Sequence, residues 1–303
     1  MGFNFFQNQF WTFQLVGEIF AAFIFISLTA IIVVGLLPIL EAGFDVVTDM
    51  TLIEYIDPNH PLLHRLSMEA QGTYQHSCFV GIVAEAAAQS INANGLFCRV
   101  AALYHDVGKL SNPQYFTENQ VDNLNLHNLI TPLESAQVIK AHVSDGVSLG
   151  QQYRLPQSLI DVIQEHHGTS VIYFFYHQHI ENCKNEQIVD INWFRYAGPK
   201  PRTKESAILM IADSVEAAFS SLKVTNEAIL SALIEKIVGE RIQDKQLDEC
   251  KLTFEELGII KKRILRTLLA ISHGRLPYPE RKPVPNEITF MSGIMLDPRN
   301  LSP

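Results

Sequence analysis

Residues 19–40 read IFAAFIFISLTAIIVVGLLPIL, an unbroken apolar run fenced by Glu18 and Glu41. At about 1.5 Å of rise per residue the run can cross a hydrocarbon core of about 30 Å. It is apolar all round, which predicts a membrane-spanning helix more readily than a buried core helix. A cleavable secretory leader fits poorly, because the run is long, lacks a basic flank and has no small-x-small site behind it. Pro38 is expected to bend or end the helix, since proline removes a donor and crowds the preceding turn. Residues 1–18 contain no Lys or Arg and the first basic residue after the run is Arg65, so charge bias leans the C-terminal side toward the cytoplasm.

Beyond residue 41 the spacing changes to that of packed helices. Residues 74–90 are Ala-rich with apolar positions at helical spacing, and residues 96–105 continue the pattern up to a turn at Gly108. Pro132 and Pro156 each open a further helix, at positions where a missing N–H costs nothing. Gly168 is a candidate stop for the helix 156–167. Residues 203–221 form an amphipathic pattern, and Thr253 with Glu256 makes a capping box ahead of a last helix reaching residue 272. No run alternates convincingly between apolar and polar positions, so the fold class is all-α. Residues 174–202 hold aromatics, Gly198, Pro199 and Pro201, and are expected to form a long surface loop. The proline-rich tail from Tyr278 is expected to be extended or disordered.

Composition adds exclusions more than assignments. A net charge of −9 over 303 residues argues against a nucleic-acid polymer as partner through a general basic surface. Four cysteines without a CxxC pair make a disulfide framework or a zinc knuckle a poor fit, and point to reduced thiols in a cytosolic domain.

The chemistry lies in where the histidines fall. His105 and Asp106 are adjacent, followed by Val107-Gly108-Lys109; His166 and His167 are adjacent at a helix end; His76 and His142 lie within separate helices. Asp213 lies in an apolar stretch between Ile211, Ala212 and Val215. A carboxylate there is costly to bury unless it is paired or coordinated. Each residue alone has a structural explanation, as a satisfied core histidine or a paired surface acid. The ordered set of H, HD, H, HH and D on separate helices is hard to attribute to packing. Nitrogen and oxygen donors without thiolate suit manganese, iron or another first-row metal better than structural zinc.

These residues and their surroundings resemble the HD superfamily of metal-dependent phosphohydrolases. More closely, the chain resembles the HD domain of the seven-transmembrane HD phosphodiesterases, the PgpH-like family. The stretches that carry the resemblance are NHPLLHRLSMEAQGTYQHS (59–77), YHDVGKLSNPQYFTENQ (104–120), HVSDGV (142–147), IDVIQEHHGTS (160–170), FRYAGPKPRTKESAILMIADSVEAA (194–218) and HGRLPYPE (273–280). The resemblance implies an HD-domain helical bundle over 41–277, preceded by a flank (1–18) and one transmembrane helix (19–40), and followed by the tail (278–303). It also implies hydrolysis of cyclic di-AMP to pApA on the cytoplasmic side of the cell membrane by two divalent metal ions. One cation would take His76, His105, Asp106 and Asp213; the other would take His142, His166, His167 and a bridging Asp106. The family carries an extracytoplasmic domain and further membrane helices, of which this chain shows only a last helix.

With two cations in place, Asp106 would bridge the metals that activate water and Lys109 would contact phosphate. Arg195, Lys200, Arg202 and Lys204 offer a basic loop for a second phosphate, or a solvated surface. Tyr104, Tyr115, Phe194 and Tyr196 offer faces for stacking adenine, or for core packing. Rival functions are an HD hydrolase for another nucleotide phosphate ester, a non-catalytic nucleotide-sensing module, and a membrane scaffold in which the histidines are incidental. The chain reads HHGTS where the cyclic di-GMP branch extends its HH site with a GYP-type motif, and no ligand position of the set is lost.

Overall fold

A computed structural model describes residues 2–44, 46–120, 125–183, 189–222 and 226–273. Among them the chain forms eleven α-helices: α1 (Gly2–Phe44), α2 (Asp49–Tyr55), α3 (Pro61–Glu69), α4 (Gln71–Gln89), α5 (Gly95–Tyr104), α6 (Pro132–Gln152), α7 (Gln157–Glu165), α8 (Tyr173–Asn182), α9 (Lys204–Ser220), α10 (Glu227–Gln243) and α11 (Phe254–His273). The only extended pairing among the described residues is an isolated bridge between Val171 and Arg195. The all-α reading therefore holds. The expected tail, 278–303, lies outside the described residues, as does most of the 273–280 stretch.

Helices α4, α5 and α9 form the centre of the bundle. Val80, Val83, Ala84 and Ala87 of α4 are fully buried against Val100 and Ala102 of α5 and Ile208, Leu209 and Ile211 of α9. Alanines on α4 let α5 approach closely, and burial of each larger aliphatic side chain contributes roughly 1.5–3 kcal/mol. Side-chain caps fix where the surrounding helices begin. Thr131 and Glu134 close a capping box on α6, and Thr253 and Glu256 close the one expected on α11. Gly168 follows α7 with φ +54°, the left-handed geometry that glycine adopts without strain.

Two expectations need correction. The stretch 174–202 is not simply a loop, since it contains most of α8 and a 3₁₀ turn at Ile191–Phe194. Four consecutive aromatics at 173–176 hide the helical period, yet Phe175 turns inward and packs with Ala136, Val171 and Phe194 in a second small core. Helix α1 also does not end at Pro38 but runs on to Phe44. A proline removes one rung of the ladder, and the bonds beyond it survive. The apolar part of α1 spans Phe13–Glu41 with none of it buried, longer at its start than the 19–40 read from the sequence.

Candidate metal centre

Five helices and one turn deliver the donors. His76 comes from α4 and Asp213 from α9, two helices packed together in the central layer. His105 caps the C-terminus of α5, and Asp106 starts the 3₁₀ turn Val107–Ser111. That turn presses on α6, and a Cβ at Gly108 would overlap the carbonyl oxygen of His142 and the amide of Gly146. Two facing glycines thus let the backbones touch, which sets Asp106 beside His142. Helix α7 ends at Glu165, so His166 and His167 project from its last turn.

All seven side chains converge. Donor atoms of Asp106, His142, His166 and His167 lie within 4.8 Å of one another, and those of His76, His105 and Asp213 form a second such group. Asp106 stands between them. Its Oδ1 lies 3.4 Å from His142 Nε2 and 3.7 Å from His166 Nε2, while its Oδ2 lies 3.3 Å from His105 Nε2 and 3.6 Å from His76 Nε2. Asp213 Oδ1 is 3.0 Å from His76 Nε2, and its Oδ2 is 3.8 Å from His167 Nδ1.

The outer contacts fix which nitrogen faces inward. His105, His142 and His166 each turn Nδ1 onto the backbone oxygen three residues earlier, at 2.7, 2.5 and 2.7 Å. An Nδ1–H donated to a carbonyl leaves the Nε2 lone pair for a cation. His142 Nε2 and His166 Nε2 then face each other at 3.2 Å, an arrangement that two lone pairs adopt around a shared cation. His105 Nε2 and Asp106 Oδ1 are buried without a hydrogen-bond partner, a costly state unless a metal satisfies them. The donor set therefore fits a divalent metal.

Protonation in the metal-free protein divides the rings. Burial and the repulsion of His105 push His166 down to about 3; burial and His166 push His167 well below its ordinary value. Burial also lowers His142. These three rings are neutral donors. Burial works against protonation of His76, but hydrogen bonds to Asp213 and Glu216 outweigh it and hold the ring at about 9. At His105 burial again opposes the charge, and Asp106 outweighs it to hold the ring at about 10. Burial would raise Asp106, yet Lys109 and His105 hold it well below the carboxylate range.

The remaining sequence-derived positions divide. Lys109 lies at the centre, 2.8 Å from Asp106 Oδ2 and 2.7 Å from Glu118 Oε1. Tyr196 stacks on His167 with ring centroids 4.3 Å apart. Tyr104 is fully buried and donates its hydroxyl to the Tyr55 carbonyl at 2.8 Å, so its ring belongs to the core and offers no face to a ligand. Phe194 is likewise core, and Tyr115 packs on His127. Arg195 makes a two-armed pair with Asp244, at 3.1 and 3.2 Å, and donates to the Thr169 carbonyl. Lys204 pairs with Glu256 and Arg202 with Glu165. These cations tie elements of the fold to one another, which leaves Lys200 as the one cation of the four without an ion pair among the described residues. Tyr104→Phe should cost about 1 kcal/mol of stability and leave substrate KM unchanged, comparing melts with steady-state kinetics.

Sequence reading missed three supporting groups. Glu216 bonds His76 Nδ1 and accepts from Ser220, and its place three residues after Asp213 on one helix face was a usable signal. Glu118 reaches Lys109 from a short 3₁₀ turn that no periodicity marks. Gln246, fully buried, accepts from the Thr169 amide at 2.8 Å and donates to its hydroxyl at 3.0 Å, clamping the turn after His167. Gln246→Ala strands these buried groups, so unfolding free energy should fall by about 1–3 kcal/mol in a denaturant titration.

Two cavities, each of about 500 Å³, flank His167. One is lined by His76, Asp106, Lys109, Glu118, Asp213 and Glu216. The other is lined by Gln137, Lys140, Ser144, Gln164 and Tyr196.

Residues 73–218, which contain all seven converging side chains, match the profile of the HD domain. The chain is 44% identical over 252 residues to the cyclic-di-AMP phosphodiesterase PgpH of Bacillus subtilis (strain 168), covering 83% of this chain and 35% of that protein. The chain belongs to the HD-domain family. PgpH of Listeria monocytogenes serotype 1/2a (strain 10403S) is 41% identical over 249 residues, covering 82% of this chain and 34% of its own. The chain thus spans about a third of the length of either relative. The crystal structure of the L. monocytogenes PgpH HD domain in complex with cyclic-di-AMP superposes with TM-score 0.68 at 42% identity, covering 71% of this chain and 99% of that one.

Proposed function

We propose that the chain is a membrane-anchored phosphodiesterase that hydrolyses cyclic di-AMP to pApA on the cytoplasmic side, using two divalent cations. The observation that carries this reading is Asp106, whose two oxygens each face a separate group of buried donors. His76, His105, Asp213 and Asp106 would hold one cation; His142, His166, His167 and Asp106 the other. The nitrogen and oxygen donors favour manganese or iron. Bound cations supply Lewis acidity and lower the pKa of coordinated water.

The chain's own residues do the rest. Burial disfavours the Lys109 ammonium, but Asp106 and Glu118 hold its pKa above the ordinary value. It therefore presents a fixed positive charge beside the centre, where negative charge grows on phosphoryl oxygens. Glu216 orients His76, and the i−3 carbonyls orient His105, His142 and His166. His167, with Tyr196 stacked on it, lines both cavities, a layout that suits a ligand with two nucleoside halves. The unburied apolar stretch Phe13–Glu41 supports anchoring in a bilayer.

The test is to incubate the full chain in detergent with Mn²⁺ or Fe²⁺ and a panel of cyclic dinucleotides, and to chromatograph the products. Cyclic di-AMP should give pApA fastest. Faster cleavage of cyclic di-GMP or a mononucleotide would favour the rival esters, and no cleavage the sensing module. A pH-linked outcome tests the metal assignment separately. At pH 7 His76 and His105, at about 9 and 10, carry protons that coordination must displace. Loading should therefore release protons at pH 7, in a number that falls as pH rises through 9 and 10. Calorimetry in two buffers of different ionisation enthalpy measures this number.

A further inference from the structure

Helix α2 has two faces. Leu52 is fully buried in the main core, while Met50 and Ile53, one turn apart on the other side, are 62% and 59% exposed. Phe44 at the end of α1 and Val46 in the connection are 75% and 56% exposed. Four large apolar side chains thus stand uncovered within ten positions of one another, just after the apolar stretch that ends at Glu41.

Glu41 fixes where this face lies. Its carboxylate accepts from the Thr48 amide at 3.0 Å and from the Thr51 hydroxyl at 2.9 and 2.8 Å. Thr48 is the N-cap of α2. The first turn of α2 is therefore held within one side chain's length of the residue that closes the apolar stretch. A bilayer has polar layers of roughly 5–8 Å outside its hydrocarbon core. If α1 spans, α2 lies at that depth, where Asp49 and Glu54 can remain hydrated while Met50 and Ile53 enter the acyl boundary.

We infer that α2 is an interfacial helix whose Phe44, Val46, Met50 and Ile53 rest in a lipid surface and, through Glu41, fix the catalytic domain against the membrane. The inference rests on the membrane-anchored reading above. Lipid is the favoured occupant because the face continues directly from the apolar surface of α1. Leu52 ties the same short helix to the core, so the contact sets the height and tilt of the domain instead of leaving it on a loose tether.

The test uses the full chain with Trp11→Phe and Trp193→Phe, reconstituted in phosphatidylcholine vesicles with plain or brominated acyl chains. Single tryptophans are placed by Met50→Trp and, as an independent reporter should the first misfold, by Ile53→Trp. Phe25→Trp reports on the span. Phe174→Trp reports on α8, which packs near Ala136 and Ile139 at the far end of α6 from Arg154, the residue that Tyr55 of α2 contacts. Tryptophans at 50 and 53 should emit to the blue and lose most of their emission in brominated vesicles, with position 174 unaffected. Loss at position 25 but not at 50 or 53 would overturn the interfacial helix, meaning that water or another polypeptide covers the face. Equal loss at position 174 would overturn it too. No loss at position 25 would show that the spanning reading itself fails, and the inference with it.

Discussion

Asp106→Ala should empty both halves of the centre and lower turnover of cyclic di-AMP by at least about a thousand-fold. Asp106 is the one side chain with an oxygen toward each donor group, so its loss takes a ligand from both proposed cations at once. The charge balance changes too, because four imidazoles and Lys109 surround that carboxylate. Removing it leaves Asp213 as the one carboxylate of the proposed donor set to offset two cations, and takes the shared partner from Lys109 and the protonated His105. Loss of one electrostatic contact at a reacting centre typically costs 10²–10³-fold, and loss of the metals costs more. The helical bundle should persist, since the apolar side chains that pack α4, α5 and α9 are left unchanged. His142→Ala, by contrast, should empty chiefly one position. Elemental analysis with circular dichroism checks both variants. Two metals retained by Asp106→Ala would refute the bridging role.

Gly108→Val should be the most destabilising single change at the site. A Cβ at this position overlaps backbone atoms of His142 and Gly146, and backbone within a helix cannot step aside as a flexible side chain can. The 3₁₀ turn after Asp106 would have to lift from α6, separating Asp106 from His142 as it moved. A cost of about 3 kcal/mol is expected from such overpacking. Denaturant titration reads the loss of stability. Metal content reads the separation, since the His142 half of the centre should weaken more than the His76 half. Wild-type stability in this variant would show that the turn has room to spare.

The parts of the fold that follow repeating local rules were legible in the sequence. Alanine-rich α4, the capping box on α11 and the stop at Gly168 are written in spacing and residue type, and each is found where those rules place it. The seven donors were legible as a set because nitrogen and carboxylate side chains recur at helix ends and in apolar stretches. What escaped depends on long-range partners. Nothing near Tyr104 announces that the Tyr55 carbonyl waits for its hydroxyl, and nothing near Arg195 announces Asp244, 49 residues away. The basic loop looked free for phosphate only because its carboxylate partners lie on other elements. Helix α8 was hidden by its own composition, four aromatics in a row masking one inward position.

The most direct measurement is a metal titration of the chelated full chain, with bound metal and cyclic di-AMP turnover read on the same samples. A centre in which Asp106 joins two cations should bind two Mn²⁺ or Fe²⁺ per chain, with turnover to pApA rising mainly as the second equivalent binds. Full turnover at one equivalent, or in the metal-free protein, would contradict it.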